Sequence, residues 1–471
     1  MKPQIKFGTE GWRGVIADDF TVANVRLVTR AIGNHIKTTN PPGSGIVIGF
    51  DCRSQSEIFA AAAAEVLVSL GFPVTVADRP TSSPATVSAI VRYGMQGGII
   101  FTASHNPGAF HGIKFKPYYG GSAFNEITDE IEDEIAPLLQ DYERWGDRPK
   151  DIGTWKTEDL TPGYLKSMES LIDLKAIRNA GFNIVFDAMH GAGAGYLGSI
   201  VGPVIAIREE RNPLFGGINP EPIPKNLGLC FDAVKSHHAD IGIAVDGDAD
   251  RVGAVDEMGE FMDSHRIYAI LLKHLVERHG WRGSVVKTVS TSRMIDKLAA
   301  HYGLPVHVTP IGFKYICQWM VDEEVLIGGE ESGGIGIPKH LKERDGIFSG
   351  LLLLEAMALS GKTASGLVRE IFDMVGEHYY SREDLHFTRE EMPFVQESLK
   401  KIKPKRIGDT VVQHIETMDG TRFDFENGWL LLRASGTEPV VRVYSESTDQ
   451  SQPTKWITSG EALIRDAIRN G

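Results

Sequence analysis

The chain has 471 residues, of which 42% are hydrophobic and 24% charged, as in ordinary globular proteins. At roughly 100–200 residues per domain, this length predicts three or four domains. The formal net charge of −13 argues against general nucleic-acid binding but not against a small anionic substrate. Three separated cysteines fit neither a disulfide framework nor a zinc spacing, which is typical of a reducing cytosol.

The sequence also indicates that the protein has no membrane partner. Its first residues, MKPQIKFGTEGW, lack the apolar segment of a signal peptide. No stretch approaches the roughly 18 uninterrupted apolar residues of a membrane span. We interpret LLLLEAMAL (351–359) as a core helix and expect a cytoplasmic protein.

Apolar runs alternate with helical patterns along most of the chain. The runs at 45–51, 74–78 and 97–103 predict buried strands, and the apolar spacing of 56–71 predicts a helix after the first of them. This alternation favours parallel-rich sheets covered by helices. Two further sets of strand-like runs follow: 182–193, 203–209, 239–250, and then 283–291, 305–312, 324–334.

The pattern changes at three places that we predict to be domain boundaries. The charged stretch 141–160 is typical of a linker, and the turn at 256–259 is a second candidate. After about residue 376 the chain becomes rich in strands and ends in a predicted helix, which indicates a smaller domain of another type. The predicted domains are 1–150, 151–256, 257–375 and 376–471.

The segment FTASHNPGAFHGIKF (101–115) places a serine directly after a predicted strand. Serine in such a position often only caps a turn or helix, and the segment is not a G-x-S-x-G elbow. The alternative is that the strand exit holds the Ser104 hydroxyl at the carboxyl edge of a sheet, where α/β sheets place ligands. His105 is adjacent, and Lys114 is a candidate to assist proton or phosphate transfer.

The segment IAVDGDADRVGAV (243–255) carries Asp246, Asp248 and Asp250 directly after an apolar run. Three carboxylates this close repel one another unless a cation lies among them, and their oxygens suit Mg²⁺ or Ca²⁺. An EF-hand is the nearest rival, but its sixth position requires glycine and Arg251 stands there. A solvated turn is the other alternative. Arg251 is a candidate to hold a sugar or phosphate oxygen.

The segment IGGEESGGIGIPKHLKERDG (327–346) follows the last strand of the third set. Glu330 and Ser332, bracketed by glycines, are suited to bind sugar hydroxyls, although a solvated polar loop would look the same. His340 and Arg344 are candidate groups for phosphate binding or proton transfer.

The segment LLLRASGTEPVVRV (430–443) predicts a phosphate-binding loop. Arg433 supplies several donors, Gly436 lets backbone N–H groups approach an anion, and Ser435 and Thr437 add hydroxyls. The loop opens no clear helix, so it is not a Walker P-loop; an ordinary turn remains the alternative. The four segments together indicate phosphoryl transfer onto a phosphorylated polyol.

The chain resembles the α-D-phosphohexomutase superfamily over essentially its whole length. Four motifs carry the resemblance by their order and spacing: TASHNP, DGDADR, GEESGG and RASGTEP. FGTEGWRG (7–14) agrees with it. The resemblance implies an α/β protein with three similar mixed-sheet α/β domains and a smaller α+β C-terminal domain around a central cleft. It also implies small hexose phosphates as substrates and a monomer or dimer.

The resemblance assigns roles to residues of this sequence. Ser104 would be a phosphoserine that, with the three aspartates, holds one Mg²⁺ per chain. The candidate catalytic residues are Ser104, Lys114, Arg13, His105 and Arg251. The candidate metal ligands are Ser104, Asp246, Asp248 and Asp250. The candidate substrate-binding residues are Gly312, Glu330, Ser332, His340, Arg344, Arg433, Ser435, Gly436 and Thr437.

Within the superfamily, the sequence is most similar to the phosphoglucomutase branch. The phosphoglucosamine and dual-specificity branches typically follow Glu-x-Ser with Gly-His, whereas Gly334 stands here. The resemblance therefore implies interconversion of glucose 1-phosphate and glucose 6-phosphate, with glucose 1,6-bisphosphate as intermediate and activator. A phosphomannomutase, a dual-specificity mutase, a bisphosphate synthase, a phosphatase and a non-catalytic sugar-phosphate binding module are the alternatives.

Overall fold

The computed structural model describes residues 5–8, 10–150, 152–435 and 439–470. Its first domain is a mixed six-stranded sheet covered by helices. The three runs predicted as buried strands here form strands whose residues are buried on both faces, because helices cover the sheet on each side. Its elements are β1 (Gly11–Val15), α1 (Val22–Thr39), β2 (Ile46–Phe50), α2 (Ser56–Ser69), β3 (Val74–Ala77), α3 (Ser83–Tyr93), β4 (Gly97–Phe101), β5 (Phe110–Pro117), α4 (Asn125–Leu138), α5 (Tyr142–Gly146) and β6 (Lys156–Glu158).

The strand order of this sheet is β1-β5-β4-β2-β3-β6, with β1 and β5 antiparallel to their neighbours. The stretch 141–160, predicted as a linker, instead contains α5 and the strand β6. Because β6 pairs in parallel with β3, it covers an edge of the first sheet that would otherwise be unpaired. The first sheet therefore extends past residue 150.

The second domain is a five-stranded mixed sheet with the order β11-β10-β9-β7-β8. Its elements are α6 (Thr161–Met168), α7 (Leu174–Ala180), β7 (Ile184–Asp187), α8 (Tyr196–Val201), β8 (Ile205–Ile207), α9 (Gly228–Ser236), β9 (Ile241–Val245), β10 (Val252–Asp256) and β11 (Phe261–Met262). The turn at 256–259, predicted as a boundary, joins β10 to β11 of one sheet. The second sheet therefore ends after Met262.

The third domain has the strand order β13-β12-β14-β15-β16. Its elements are α10 (Ser264–Glu277), β12 (Ser284–Thr288), α11 (Arg293–His301), β13 (Val306–Thr309), α12 (Phe313–Asp322), β14 (Val325–Gly329), β15 (Ile335–Ile337), β16 (Leu341–Arg344), α13 (Gly346–Ser360) and α14 (Ala364–Val375). The helix predicted over 351–359 is confirmed, since α13 is buried over most of its length. Among the described residues no single helix is long and apolar enough to cross a bilayer; α13 and α14 together pass by length and composition, but they are bent by 83°.

The fourth domain is smaller and antiparallel, with the strand order β17-β23-β22-β21-β20 and helices packed on the sheet. Its elements are β17 (Tyr379–His386), α15 (Met392–Lys401), β18 (Arg406–Ile407), β19 (Thr410–Val411), β20 (His414–Glu416), β21 (Thr421–Phe425), β22 (Gly428–Ala434), β23 (Val440–Ser447) and α16 (Gln452–Asn470). Short 3₁₀ helices lie at Leu139–Asp141, Phe215–Gly217 and Pro224–Asn226. The predicted class, three similar mixed-sheet α/β domains and a smaller α+β domain, is confirmed.

The first three domains share one apolar core. One apolar cluster runs through the second and third domains and includes Ala85, Val87 and Ile100 of the first. The first and fourth domains also have cores of their own. The shared core fixes the relative positions of the sheet edges at which the predicted motifs lie.

Candidate active site

Ser104 lies three residues beyond the end of β4, in a left-handed backbone conformation with φ 51°. Few non-glycine residues adopt this conformation, so the surroundings must hold it in place. The Ser104 N–H donates to Thr102 Oγ1 at 2.8 Å, and the buried Ser104 hydroxyl donates to Asp246 Oδ2 at 2.8 Å. The predicted nucleophile Ser104 is thus hydrogen-bonded to Asp246, one of the predicted metal ligands.

Arg53 holds the Ser104 loop, although no sequence motif singles it out. Its guanidinium is fully buried and donates to the carbonyl oxygens of Ser104, Asn106, Pro107 and Phe110 at 2.6–3.0 Å. Its Nε donates to Asp51 Oδ2 at 3.0 Å, which balances the buried charge. The planar group satisfies four carbonyls at once and fixes the path of the loop.

The three aspartates lie in a tight turn after β9. Asp246 Oδ1 accepts hydrogen bonds from the backbone N–H groups of Asp250 and Arg251 at 2.9 and 3.1 Å. The side chain of the first aspartate thus stabilises the turn. Gly247 passes close to the serine loop: a Cβ there would lie 2.7 Å from the Ser104 carbonyl oxygen. Glycine is therefore required at this position for the Ser104–Asp246 contact.

The carboxylate oxygens of this turn fit a divalent cation. Asp248 Oδ2 accepts from Lys114 Nζ at 3.0 Å and Asp250 Oδ2 pairs with Arg344 at 2.9 Å, but Oδ1 of each is buried and has no hydrogen-bond partner among the described residues. One oxygen of each aspartate lies within 4.8 Å of the others. Burial and the charges of Asp250 and Asp248 raise the pKa of Asp246. A bound cation would remove this repulsion, and an all-oxygen ligand set suits Mg²⁺.

Lys114 and Arg344 bring positive charge to the same cluster. Lys114 Nζ also lies 3.4 Å from Glu10, and Arg344 Nη2 lies 2.6 Å from Glu10. Burial lowers the pKa of Lys114, but Asp248 and Glu10 outweigh burial and raise it, so the ammonium stays protonated at neutral pH. Sequence reasoning missed Glu10, although it lies within FGTEGWRG near Arg13.

Glu330 follows β14 and faces the loop between β13 and α12, which carries Gly312. Its Oε1 accepts the Gly312 N–H at 3.1 Å, and its Oε2 lies 3.5 Å from Arg344. Burial raises the pKa of Glu330 to about 7 against the opposing effect of Arg344. Ser332 is half-buried in the same loop. A Cβ on Gly334 would lie 2.2 Å from Arg344 Cδ, so the Arg344 side chain fills the space beside Gly334.

His340 lies apart from this group. Its Nε2 bonds Asp345 Oδ2 at 2.8 Å and its ring stacks on Phe348 with centroids 4.2 Å apart. Among the described contacts of His340, none is with the acidic cluster. The structure gives this histidine a packing role between β16 and α13.

Arg433 lies at the end of β22 and is held by Asp419, whose Oδ1 accepts from Arg433 Nε at 2.8 Å. Asp419 Oδ2 also accepts the Ile311 N–H at 2.8 Å, which connects the fourth domain to the loop that carries Gly312. The Ser435 N–H donates to the Val440 carbonyl at 2.8 Å across the loop. The predicted phosphate-binding residues Gly436 and Thr437 lie outside the described residues.

His105 is half-buried beside the nucleophile, with Nδ1 3.4 Å from Ser104 Oγ. Burial lowers the pKa of His105, and the positive charges of Arg251, Arg13 and Arg442 lower it further.

Arg13 is exposed and donates to the side chain of Asn106 at 2.9 Å, and Arg251 lies 3.9 Å from Asp246. Arg442 and Arg382, from the fourth domain, act on the same imidazole, and sequence reasoning missed both. Positive groups of three domains thus surround the serine.

Comparison with known proteins gives one consistent result. Four profiles described as phosphoglucomutase/phosphomannomutase match successive parts of the chain: alpha/beta/alpha domain I at 4–140, alpha/beta/alpha domain II at 162–259, alpha/beta/alpha domain III at 263–375 and the C-terminal domain at 389–457.

Relatives along nearly the whole chain agree. A phosphoglucomutase/phosphomannomutase of Thermococcus kodakarensis is 30% identical, with 98% of this chain and 99% of the relative covered. A phosphoglucosamine/phosphogalactosamine mutase of Sulfurisphaera tokodaii is 29% identical, with 97% and 98% covered. The crystal structure of a putative phosphomannomutase from Thermus thermophilus superposes with a TM-score of 0.87 at 34% identity, covering 99% of this chain and all of that one.

The fold and the site define an enzyme that moves a phosphoryl group within a sugar phosphate, an intramolecular phosphotransferase. The chain belongs to the phosphoglucomutase/phosphomannomutase family, within the α-D-phosphohexomutase superfamily.

Proposed function

We propose that the protein interconverts glucose 1-phosphate and glucose 6-phosphate through a phosphorylated Ser104 and a glucose 1,6-bisphosphate intermediate. The observation that carries the proposal is the hydrogen bond of 2.8 Å from the Ser104 hydroxyl to Asp246, inside a cluster of three aspartates. Two buried oxygens of this cluster have no hydrogen-bond partner among the described residues. Added glucose 1,6-bisphosphate would act as activator by loading Ser104.

The transfer needs a labile phosphoryl group, a positive environment and a proton acceptor. The bond between Ser104 Oγ and phosphorus breaks as the free sugar hydroxyl bonds to phosphorus. The hydroxyl proton passes to a base, and Ser104 Oγ takes up a proton as it leaves. His105, whose pKa is lowered by burial and by nearby arginines, is neutral and is the candidate base. Lys114 stays protonated and stabilises the charge of the transferring group. Mg²⁺ held by Ser104 and the three aspartates would supply further charge neutralisation.

The second transfer returns the other phosphate of the bisphosphate to Ser104, so the sugar must bind in two orientations. Glu330 and Ser332 lie on one loop of the third domain, and Gly312 lies on the loop that faces it. These residues are suited to form hydrogen bonds with hydroxyls on either face of a hexose. Arg433 and Ser435, with Gly436 and Thr437, are the proposed ligands of the phosphate that is not transferred.

Arg251 and Arg344 are also proposed members of this site, because each lies within 3.9 Å of a triad aspartate. Arg13 is the exposed arginine beside Asn106 and is proposed to meet the incoming phosphate. His340 is left out of the proposed substrate-binding residues, because its ring is held by Asp345 and Phe348.

Glucosamine phosphate is the second candidate substrate, because relatives of 28–30% identity carry names that include phosphoglucosamine. Mannose phosphate is the third, because the Thermococcus kodakarensis and Thermus thermophilus relatives carry names that include phosphomannomutase. Release of the bisphosphate, which would make the enzyme a synthase of it, depends on its residence time in the cleft.

The test is conversion of each 1-phosphate to its 6-phosphate with Mg²⁺ and a trace of glucose 1,6-bisphosphate. We expect the highest kcat/KM for glucose 1-phosphate, no turnover by Ser104→Ala, and full turnover by Ser199→Ala, an exposed serine outside the site. Higher kcat/KM for glucosamine or mannose phosphate would replace the sugar assignment. Unchanged activity of Ser104→Ala would overturn the mechanism.

A further inference from the structure

A second group of metal-ligating side chains lies outside the cleft, on the third domain. His274 is in the last turn of α10, His279 follows that helix, and Glu355 is on α13. Glu355 Oε2 lies 2.7 Å from His274 Nε2 and 2.8 Å from His279 Nε2. The three donor atoms lie within 4.8 Å of one another. Two imidazoles therefore point at one carboxylate oxygen.

The chain path explains how the two histidines meet. After α10 the Arg278 N–H donates to the His274 carbonyl and the Trp281 N–H donates to the Leu275 carbonyl, so the chain folds back over the helix end. The His279 ring then lies against Trp281, with centroids 4.6 Å apart, and at 5.2 Å from the His274 ring. Both rings are oriented by packing before any ligand binds.

Glu355 is oriented from the second domain. Its Oε1 accepts the backbone N–H of Asp173, which precedes α7, at 2.6 Å. This bond leaves Oε2 for the two histidines. Burial raises the pKa of Glu355, but hydrogen bonds from His274 and His279 outweigh burial and lower it to about 2, so the carboxylate is ionised at neutral pH. Carboxylates that bind metals are usually held in place by a hydrogen bond of this kind.

A cavity of about 460 Å³ opens beside the cluster. Asp173, Arg278, His279, Trp281 and Glu355 are among its lining residues. The cavity leaves room for water molecules to complete a coordination shell.

We propose that His274, His279 and Glu355 form a binding site for a divalent transition-metal ion, with zinc as the best match. Two imidazole nitrogens and one carboxylate oxygen, with an open fourth position, are a zinc ligand set, whereas magnesium prefers oxygen ligands alone. The site differs in chemistry from the three-aspartate cluster of the cleft. Because Glu355 also bonds Asp173, a bound ion strengthens the junction between the second and third domains.

The alternative for this cluster is two neutral imidazoles that each donate a hydrogen bond to Glu355. The two arrangements differ in a measurable way. In the hydrogen-bonded arrangement each Nε2 carries a proton and no ion binds. In the metal site both Nε2 atoms are deprotonated and coordinate the ion.

The experiment measures zinc bound to the full-length chain, stripped with a chelator and held in excess Mg²⁺ so that the cleft site is occupied. We expect one zinc ion per chain by calorimetry and by elemental analysis after gel filtration. His274→Gln/His279→Gln should lose this zinc, and the exposed pair His237→Gln/His238→Gln should keep it. No zinc on the wild type, or equal zinc on the His274→Gln/His279→Gln variant, overturns the proposal.

Three further measurements guard against a variant that merely misfolds and against zinc in the wrong site. His279→Gln alone changes the more exposed of the two histidines and should weaken zinc binding while circular dichroism stays as in the wild type. Asp248→Asn should keep the zinc, since that residue belongs to the cleft. Cobalt in place of zinc should give the intense visible absorption of a four-coordinate site. Weak absorption typical of six-coordinate cobalt, or zinc lost in Asp248→Asn, would place the ion elsewhere and overturn the assignment.

Discussion

Ser104 Oγ lies 2.8 Å from Asp246 Oδ2, although 142 positions separate the two residues in the chain. The contact brings the end of β4 in the first domain to the end of β9 in the second. It depends on Gly247, whose missing side chain leaves space for the Ser104 carbonyl. The two domains therefore approach closely at this point.

Gly247→Ala tests that spacing. The added Cβ would lie 2.7 Å from the Ser104 carbonyl oxygen, so the serine loop must shift. A shift of about 1 Å at the reacting atom can cost about 100-fold in rate, and we expect kcat to fall by about that factor. Steady-state kinetics with glucose 1-phosphate measures it. Gly228→Ala is the matched control, because a Cβ at Gly228 meets nothing within 4 Å. An unchanged kcat in Gly247→Ala would show that the loop adapts freely.

Arg53→Lys tests how the Ser104 loop is held. Lysine keeps the charge beside Asp51 but cannot reach four carbonyl oxygens, because its ammonium has no planar arrangement of donors. We expect kcat to fall by about 100-fold and the free energy of unfolding to fall by about 2 kcal/mol. Kinetics and urea unfolding measure the two effects. Arg79→Lys, at an exposed arginine beside Asp78, should change neither. Wild-type kcat in Arg53→Lys would contradict this role.

The raised pKa of Glu330 predicts a pH dependence of substrate binding. Below a pH of about 7 the carboxyl is largely protonated, and above it the carboxylate is ionised and accepts stronger hydrogen bonds from sugar hydroxyls. The KM for glucose 1-phosphate should therefore fall as pH rises through about 7. In Glu330→Gln the change of KM near pH 7 should disappear, so that only the titration of the substrate phosphate remains. The exposed control Glu383→Gln should still show the change of KM. The same KM profile in Glu330→Gln and wild type would assign the change to another group.

Removal of divalent metal tests the aspartate cluster. Treatment with a chelator should abolish activity and added Mg²⁺ should restore it, because two buried aspartate oxygens have no hydrogen-bond partner among the described residues. Asp250→Asn should lower kcat by at least about 100-fold at saturating Mg²⁺. Calorimetry should show weaker Mg²⁺ binding in that variant and unchanged binding in the control Asp232→Asn, on α9 outside the cleft. Full activity after complete metal removal would refute a catalytic metal at this cluster.

The strands predicted from apolar runs were confirmed. The runs at 45–51, 97–103 and 239–250 each contain a strand, because continuous apolar residues of this length can be buried on both faces of a sheet. The stretch 141–160 was interpreted as a linker from its charges, but β6 within it pairs with β3. Edge strands tolerate charged residues, so composition does not distinguish them from linkers.

The sequence by itself determined the alternation of strands and helices, the four motifs at strand ends, and the grouping of Asp246, Asp248 and Asp250 within five residues. Each of these is a local pattern of side chains. The tertiary structure alone decided that Glu10 bonds Arg344, that Arg53 holds the serine loop, and that the charge of Arg442 in the fourth domain lowers the pKa of His105. Such interactions involve residues that lie far apart in the chain. They depend on how whole sheets dock through their shared apolar core, and no spacing along the chain encodes that docking.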